Sequence, residues 1–87
     1  MDTAMTTFLV YVTAAHQAEA LTIGRAAVES RLAACANVLG PTTSIYEWQG
    51  EVCEEAEIAL LLKTNAANLE ALTAMVKDLT ATTARAS

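Results

Sequence analysis

The sequence contains few of the residues that build common catalytic and ligand-binding motifs. It has one His, two Cys, one Pro and three Gly among 87 residues. No Ser, His and Asp stand together in a recognisable catalytic context, and two Cys are too few for a disulfide framework. Gly24, Gly40 and Gly50 are far apart and have no basic cluster beside them, which argues against a phosphate-binding loop. The sequence therefore predicts a protein that is not an enzyme.

Basic residues are scarce as well. Five Lys and Arg are scattered along the chain against ten Asp and Glu, so the formal net charge is −5. Without a basic stripe, neither nucleic-acid binding nor attachment to an anionic membrane surface is expected. No apolar run is long enough to span a bilayer, and the first residues lack the pattern of a secretory signal. We expect a reduced, cytoplasmic protein.

Apolar residues, in contrast, are abundant. They make up 54% of the chain, whereas a chain of this length buries only about 60–65% of its unfolded surface. We therefore expect one domain over residues 1–87, together with a partner that covers part of its apolar surface.

The hydrophobic spacing predicts a strand followed by a helix. Residues 7–13, TFLVYVT, are β-branched, aromatic and apolar, which favours a buried strand. Residues 16–33 change to helical spacing. The apolar face of this predicted helix consists of Leu21, Gly24, Val28, Leu32 and Cys35, and Ala20 and Ala27 widen it. Gly24 is expected to permit close packing of the helix on its neighbour.

The next part of the chain predicts a β-hairpin. Residues 36–48 return to a period of two, with a break expected at Gly40-Pro41. Gln49-Gly50 suits a two-residue turn, because Gly accepts a positive φ. The returning strand covers residues 51–64 and becomes continuously apolar toward its end, as expected for a hairpin with a buried base and an exposed tip.

A second helix follows, with Thr64 or Asn65 as its expected N-cap. Its apolar stripe consists of Leu69, Leu72, Met75, Val76 and Leu79. Residues 79–87 are expected to form a disordered tail, since no large apolar side chain follows Leu79. The order β-α-β-β-α indicates an α+β fold. A ferredoxin-like arrangement would have one more strand after the second helix, which the sequence does not supply.

Four segments resemble the CutA family of divalent-cation tolerance proteins. They are VYVTAA at 10–15, ESRLAACANVL at 29–39, TSIYEWQGEV at 43–52 and LLLKT at 60–64. The resemblance extends from Phe8 to Leu79, although the family usually has Pro where Ala15 stands. It implies a ferredoxin-like subunit with an extended β-hairpin that assembles as a homotrimer. The family's final strand has no match here, and residues 7–13 would then form an open edge of the sheet.

The resemblance also suggests where this chain meets its neighbours. In such trimers the hairpin arms pack against adjacent subunits, so Tyr46 and Trp48 would contact a second copy. The alternative is that both aromatic side chains pack on their own sheet. Lys63 matches the family's Lys-Thr pair and would face an inter-subunit cleft suited to a small anion or another ligand. It could instead extend to solvent or pair with an acid.

The family links the chain to tolerance of divalent metal ions, copper above all. The copper ligands that the resemblance implies are a Cys in the first strand and a His pair after the second helix. Those positions are Val12, Leu79 and Thr80 here, and none of them ligates copper in the same way. Two alternatives to metal tolerance stay open: a PII-like regulatory trimer that binds a small ligand, and a purely structural trimeric scaffold.

Other candidate metal ligands are His16, Cys35, Cys53 and Glu54. His16 more commonly serves as a surface or capping residue, and Cys35, at the end of the predicted helix face, as a small buried hydrophobe. Cys53 lies among glutamates, whose negative charge disfavours a reactive thiolate. The acidic side chains of residues 51–57 either face solvent or form a metal patch with Cys53.

Overall fold

The computed structural model describes residues 7–82, which form a three-stranded antiparallel sheet with two helices. The elements in chain order are β1 (Thr7–Ala14), α1 (Gln17–Glu29), β2 (Cys35–Trp48), β3 (Glu51–Asn65) and α2 (Ala66–Thr82). The sheet order is β1-β3-β2. The predicted α+β class and the ferredoxin-like order β-α-β-β-α are confirmed.

The core lies between one face of the sheet and the two helices. Alternate residues of β1 and β3 point into it, because side chains along a strand alternate between the two faces. The buried cluster contains Val12, Ala14, Leu60 and Leu62 from the sheet, Ala20, Ile23 and Ala27 from α1, and Leu72 and Val76 from α2.

Helix α1 is shorter than the sequence predicts, because it ends at Glu29 rather than near residue 33. Arg31 adopts a left-handed backbone with φ 66°. The N–H of Leu32 bonds the carbonyl of Ala27 at 3.1 Å, and the N–H of Arg31 bonds that of Val28 at 3.0 Å. This is a Schellman motif, which normally has Gly in the left-handed position. With Arg there, the sequence gives no visible stop signal.

The predicted apolar face of α1 is also partly wrong. Leu21 and Val28 are exposed, whereas Ala20, Gly24 and Ala27 are buried as predicted, together with Ile23. Small side chains let the helix approach the sheet closely, as predicted for Gly24. Leu21 and Val28 instead line an open groove of about 320 Å³ between α1 and β2.

The sequence predicts Cys35 at the end of the apolar face of α1, and this prediction is wrong. Cys35 is instead the first residue of β2. It pairs with Lys63 of β3 and is half-buried. The reason is the early end of α1, which leaves residues 30–34 as a turn and starts the strand at position 35.

The hairpin turn occurs at Gln49-Gly50, as predicted, with φ of 52° and 83° at the two residues. Two positive φ values are typical of a type I′ turn. The break expected at Gly40-Pro41 is instead a bulge between Val38 and Gly40, and β2 continues through the proline. Gly40 accommodates the bulge with φ 110°. Beyond it the hairpin extends past the helices, so the molecule measures 45 × 22 × 21 Å.

Helix α2 begins where the sequence predicts. The side-chain Oδ1 of Asn65 accepts the backbone N–H of Asn68 at 2.9 Å and so caps the helix. The helix continues to Thr82, so the tail predicted from residue 79 starts too early, and residues 83–87 lie outside the described part of the chain. Neither helix, over the residues described, is long and apolar enough to cross a membrane.

Candidate functional site

The sheet face opposite the helices carries an exposed apolar patch, here called the helix-free face. Strand register places Leu9 and Cys35 on either side of Lys63, and Tyr11 and Asn37 on either side of Leu61. Leu9, Tyr11 and Leu39 are 60%, 59% and 58% exposed. Apolar side chains in such numbers on one sheet face are typical of an interaction surface.

The projecting part of the hairpin, residues 42–57, is called the arm. Tyr46 pairs with Cys53, and Trp48 pairs with Glu51, so the two aromatic side chains share one face of the arm. The bulge at Gly40 adds one residue to β2, so that odd-numbered residues before it and even-numbered residues after it lie on the same side of the sheet. Tyr46 and Trp48 are therefore on the same side as the helix-free face. Both aromatic side chains are exposed, with Trp48 at 52%.

The acidic residues of the arm are hydrogen-bond acceptors as well as charges. The Tyr46 hydroxyl donates to the Glu55 carboxylate, and the Ser44 hydroxyl donates to Glu57. Desolvation first, and then the hydrogen bond and negative charge of Glu55, raise the pKa of Tyr46 above its ordinary value. Glu57 is buried, so the solvent-facing interpretation of residues 51–57 is wrong at that residue.

The candidate metal ligands do not meet within one chain. Cys35 lies opposite Lys63 and Cys53 opposite Tyr46, ten residues apart along β3, which is roughly 33 Å at about 3.3 Å per residue. Glu54 follows Cys53 in the strand and therefore points to the opposite face. Within residues 7–82, no group of three or more His, Cys, Asp or Glu side chains is placed to hold a metal ion.

The positions that match the family's copper ligands are structural here. Val12 is part of the buried core, and Leu79 packs against it. The Thr80 hydroxyl donates to the carbonyl of Lys77 at 3.0 Å. Two aliphatic side chains and an alcohol do not form a site for a soft or borderline metal. These residues do not fit copper, and no copper chemistry follows from them.

His16 serves as the N-cap of α1. Its Nδ1 accepts the backbone N–H of Glu19 at 3.2 Å, and Glu19 Oε1 accepts the backbone N–H of Ala15 at 2.5 Å. A proline at position 15 would have no N–H to donate. The sequence places Glu19 in the first turn of α1, where the helix dipole favours an anion, but its burial was not predicted, although a Glu three residues after the cap is the spacing of a capping box. The unusual cap residue concealed that signal.

Lys63 is exposed at one end of the helix-free face, while Tyr46 and Trp48 lie on the arm near the other end of β3. The separation of roughly 33 Å between the Lys63 and Cys53 positions exceeds the reach of these side chains. One chain therefore does not bring these three residues together.

Comparison with known proteins places these features in a family. The family model described as CutA1 divalent ion tolerance protein matches residues 8–84. The divalent-cation tolerance protein CutA of Thermus thermophilus is 46% identical over 71 residues, which cover 82% of this chain and 69% of that protein. Mouse protein CutA is 43% identical over 68 residues, which cover 78% of this chain. The chain thus spans only 38% of the length of the mouse protein.

A solved structure gives the same assignment. The divalent cation tolerance protein from Thermus thermophilus superposes with a TM-score of 0.83 at 44% sequence identity, covering 86% of this chain and 73% of that chain. The family model spans most of the chain, and the sequence relatives and the solved structure belong to the same family. The chain therefore belongs to the CutA1 divalent ion tolerance protein family.

Proposed function

We propose that this chain acts as a non-enzymatic CutA-like homotrimer in the cytoplasm and contributes to tolerance of divalent metal ions, including copper. Family membership supports the link to divalent ions. The two free cysteines are consistent with a reducing compartment. The proposed homotrimer is inferred from the exposed surface of the sheet.

The observation that carries the proposal is the exposed helix-free face. Tyr11 lies opposite the partly buried Leu61, and Leu9, Tyr11 and Leu39 each expose more than half of their surface. Another copy that covered this face would remove the patch from water, and burial of apolar area contributes about 25 cal/mol per Å². Strand β1 is also an edge of the described sheet, and its free backbone groups offer further pairing.

The arm supplies a second contact for the proposed trimer. Tyr46 and Trp48 are large, exposed and close to the hairpin turn. Aromatic side chains contribute disproportionately to interfaces, because they bury much apolar area at little conformational cost. A neighbouring copy would cover them, which explains why the only Trp of the chain stands beside a turn.

Lys63 favours one alternative, a PII-like trimer that binds a small anion. It is an exposed cation at the end of an apolar face, with half-buried Cys35 beside it. Binding of an anion there would be stronger once another copy excluded water from the face. Saturable binding of a nucleotide or a small carboxylate, abolished by Lys63→Ala, would support this alternative over metal tolerance.

Complementation tests the proposed function. The chain is expressed in bacteria that lack their own CutA protein, and growth is measured at raised copper, zinc and cobalt. We expect improved growth with this chain, and loss of that growth with Leu9→Lys, which places a charge on the helix-free face. Leu21→Lys is the matched control, because Leu21 is also an exposed leucine but lies on α1.

The proposal fails if the chain is expressed at the level of Thermus thermophilus CutA and that protein restores growth while this chain does not. Equal growth with wild type and Leu9→Lys would retain the tolerance role but contradict its dependence on assembly.

A further inference from the structure

The N-cap of α1 is a His, whereas helices usually have Ser, Thr, Asp or Asn at this position. His16 is the only His in the chain. Its backbone carbonyl accepts the N–H of Ala20 at 3.1 Å, and its Nδ1 accepts the N–H of Glu19 at 3.2 Å. The side-chain contact requires a ring with an unprotonated Nδ1, since only that nitrogen lone pair can accept. The cap therefore depends on the protonation state of His16.

Glu19 makes the same turn sensitive to a proton. Only 4% of its surface is exposed. One carboxylate oxygen, Oε1, accepts the N–H of Ala15, while the buried Oε2 has no hydrogen-bond partner among the described residues. A buried oxygen of this kind is an acceptor that a nearby donor would stabilise.

We propose that His16 and Glu19 form a proton-operated latch at the start of α1. In the neutral state, Nδ1 accepts the Glu19 N–H and closes the first turn. A solvent proton added to Nδ1 turns this acceptor into a donor, so the Glu19 N–H loses its partner and the ring N–H turns to Glu19 Oε2. The first turn of α1 is then weakened by the loss of one cap bond, while the Ala20 N–H still bonds the His16 carbonyl.

Protonation occupies the Nδ1 lone pair, so the Glu19 N–H loses this acceptor whatever charges surround the ring. On the helix side of the sheet, β3 carries Glu54, four residues or about 13 Å beyond Ile58, and β2 carries Glu47 closer to the tip of the arm. Tyr11 of β1 and Glu57 and Lys63 of β3 are on the helix-free face, and Glu70, Lys77 and Asp78 are on the exposed surface of α2.

The latch lies where the arm leaves the sheet. Ala14, two residues before His16, pairs with Ile58, and Pro41 of β2 pairs with the same residue. The arm begins immediately beyond this point. Loss of the cap bond therefore weakens the segment that joins β1 to α1, which lies beside the base of the arm.

Amide hydrogen exchange followed by NMR tests the latch in the full chain. The single His gives one set of ring signals, so its titration is unambiguous. We expect protection of the Glu19 amide, corrected for intrinsic exchange rates, to fall about fivefold as the ring becomes protonated, which corresponds to the loss of one N-cap bond. In His16→Asn, whose side chain caps without titrating, protection should not change over the same pH range.

Each other outcome overturns the proposal. Constant protection of the Glu19 amide through the ring titration would show that the contact does not depend on the proton. The same loss of protection in wild type and His16→Asn would assign it to another group. A loss that persists in His16→Asn but vanishes in Glu19→Gln would place the proton on the Glu19 carboxylate instead.

Discussion

Gly24 of α1 lies so close to Ala36 of β2 that a Cβ added at Gly24 would stand 3.1 Å from the Ala36 Cβ. The neighbour is a Cβ fixed to a strand, which cannot rotate away. Gly24→Val should therefore displace the helix and lower the free energy of unfolding by about 1–3 kcal/mol, as overpacked cores do. Urea denaturation followed by Trp48 fluorescence measures the change.

Ala18→Val is the control for this substitution. Ala18 is exposed on the same helix, so the variant carries the cost of a β-branched residue in a helix, at most about 0.7 kcal/mol, without a clash. Equal stability loss in the two variants would show that the close approach of Gly24 to β2 does not limit packing.

Arg31 offers a change in the opposite direction. Its φ of 66° lies in the left-handed region, where a side chain is disfavoured and Gly is not. Arg31→Gly should raise the free energy of unfolding by roughly 0.5–1 kcal/mol, after allowance for the greater entropy of Gly in the unfolded chain. Thermal unfolding followed by circular dichroism gives the shift.

The adjacent residue provides the comparison for Arg31→Gly. Ser30 has an ordinary φ of −80°, and its hydroxyl donates to the Ala27 carbonyl at 3.1 Å. Ser30→Gly should therefore destabilise the protein. Stabilisation by both substitutions, or by neither, would contradict the role assigned to the left-handed residue.

Tyr46 predicts a pH effect on the arm. Because its pKa is raised in the folded state, the neutral phenol adds stability below the pKa of an unfolded tyrosine, and this contribution is lost as the pH rises through the folded pKa. In a Tyr11→Phe background Tyr46 is the one remaining tyrosine. Its ultraviolet titration should then have a higher midpoint in the folded than in the unfolded protein.

Two glutamate variants identify the cause of this shift. Glu55→Gln removes the charge beside the hydroxyl and should lower the folded midpoint toward the ordinary value. Glu54→Gln removes an adjacent charge on the opposite face of the arm and should have a smaller effect. A larger effect of Glu54→Gln would refute the contact between Tyr46 and Glu55.

Leu9 tests the helix-free face as an assembly surface. Leu9→Lys adds a charge that burial against another copy would desolvate, which is costly without a partner. We expect this variant to sediment as a smaller species than wild type at equal concentration. Leu21→Lys on α1 should sediment like wild type, and assembly by both variants would exclude the helix-free face as the contact.

Local signals made part of this fold predictable. The Gln49-Gly50 turn, the Asn65 cap and the stripe of α2 each depend on residues near in sequence. The end of α1 at Glu29 could not be predicted, because the left-handed residue that follows it is Arg31 rather than Gly. The sequence indicated a break near Gly40, but its form as a bulge depends on pairing with β3.

The candidate site was less predictable than the fold. Motifs that indicated the family proved largely structural: in RLAAC, Arg31 and Leu32 end α1, Ala33 is buried and Cys35 starts β2. Sequence proximity could not show that Lys63 lies far from Tyr46 along the hairpin. That separation follows from the length of the strands. In the proposed trimer, a cleft shared by Lys63 and Tyr46 would need residues from two copies of the chain.

The solution mass of the purified chain, measured by light scattering after size exclusion, tests the central claim most directly. We predict a single species with three times the 9.2 kDa mass of the chain. That mass would be independent of concentration in the micromolar range, since the helix-free face and the arm would both be covered. A monomer, with Leu9, Tyr11 and Trp48 left in water, would contradict the proposed assembly and the inter-subunit cleft with it.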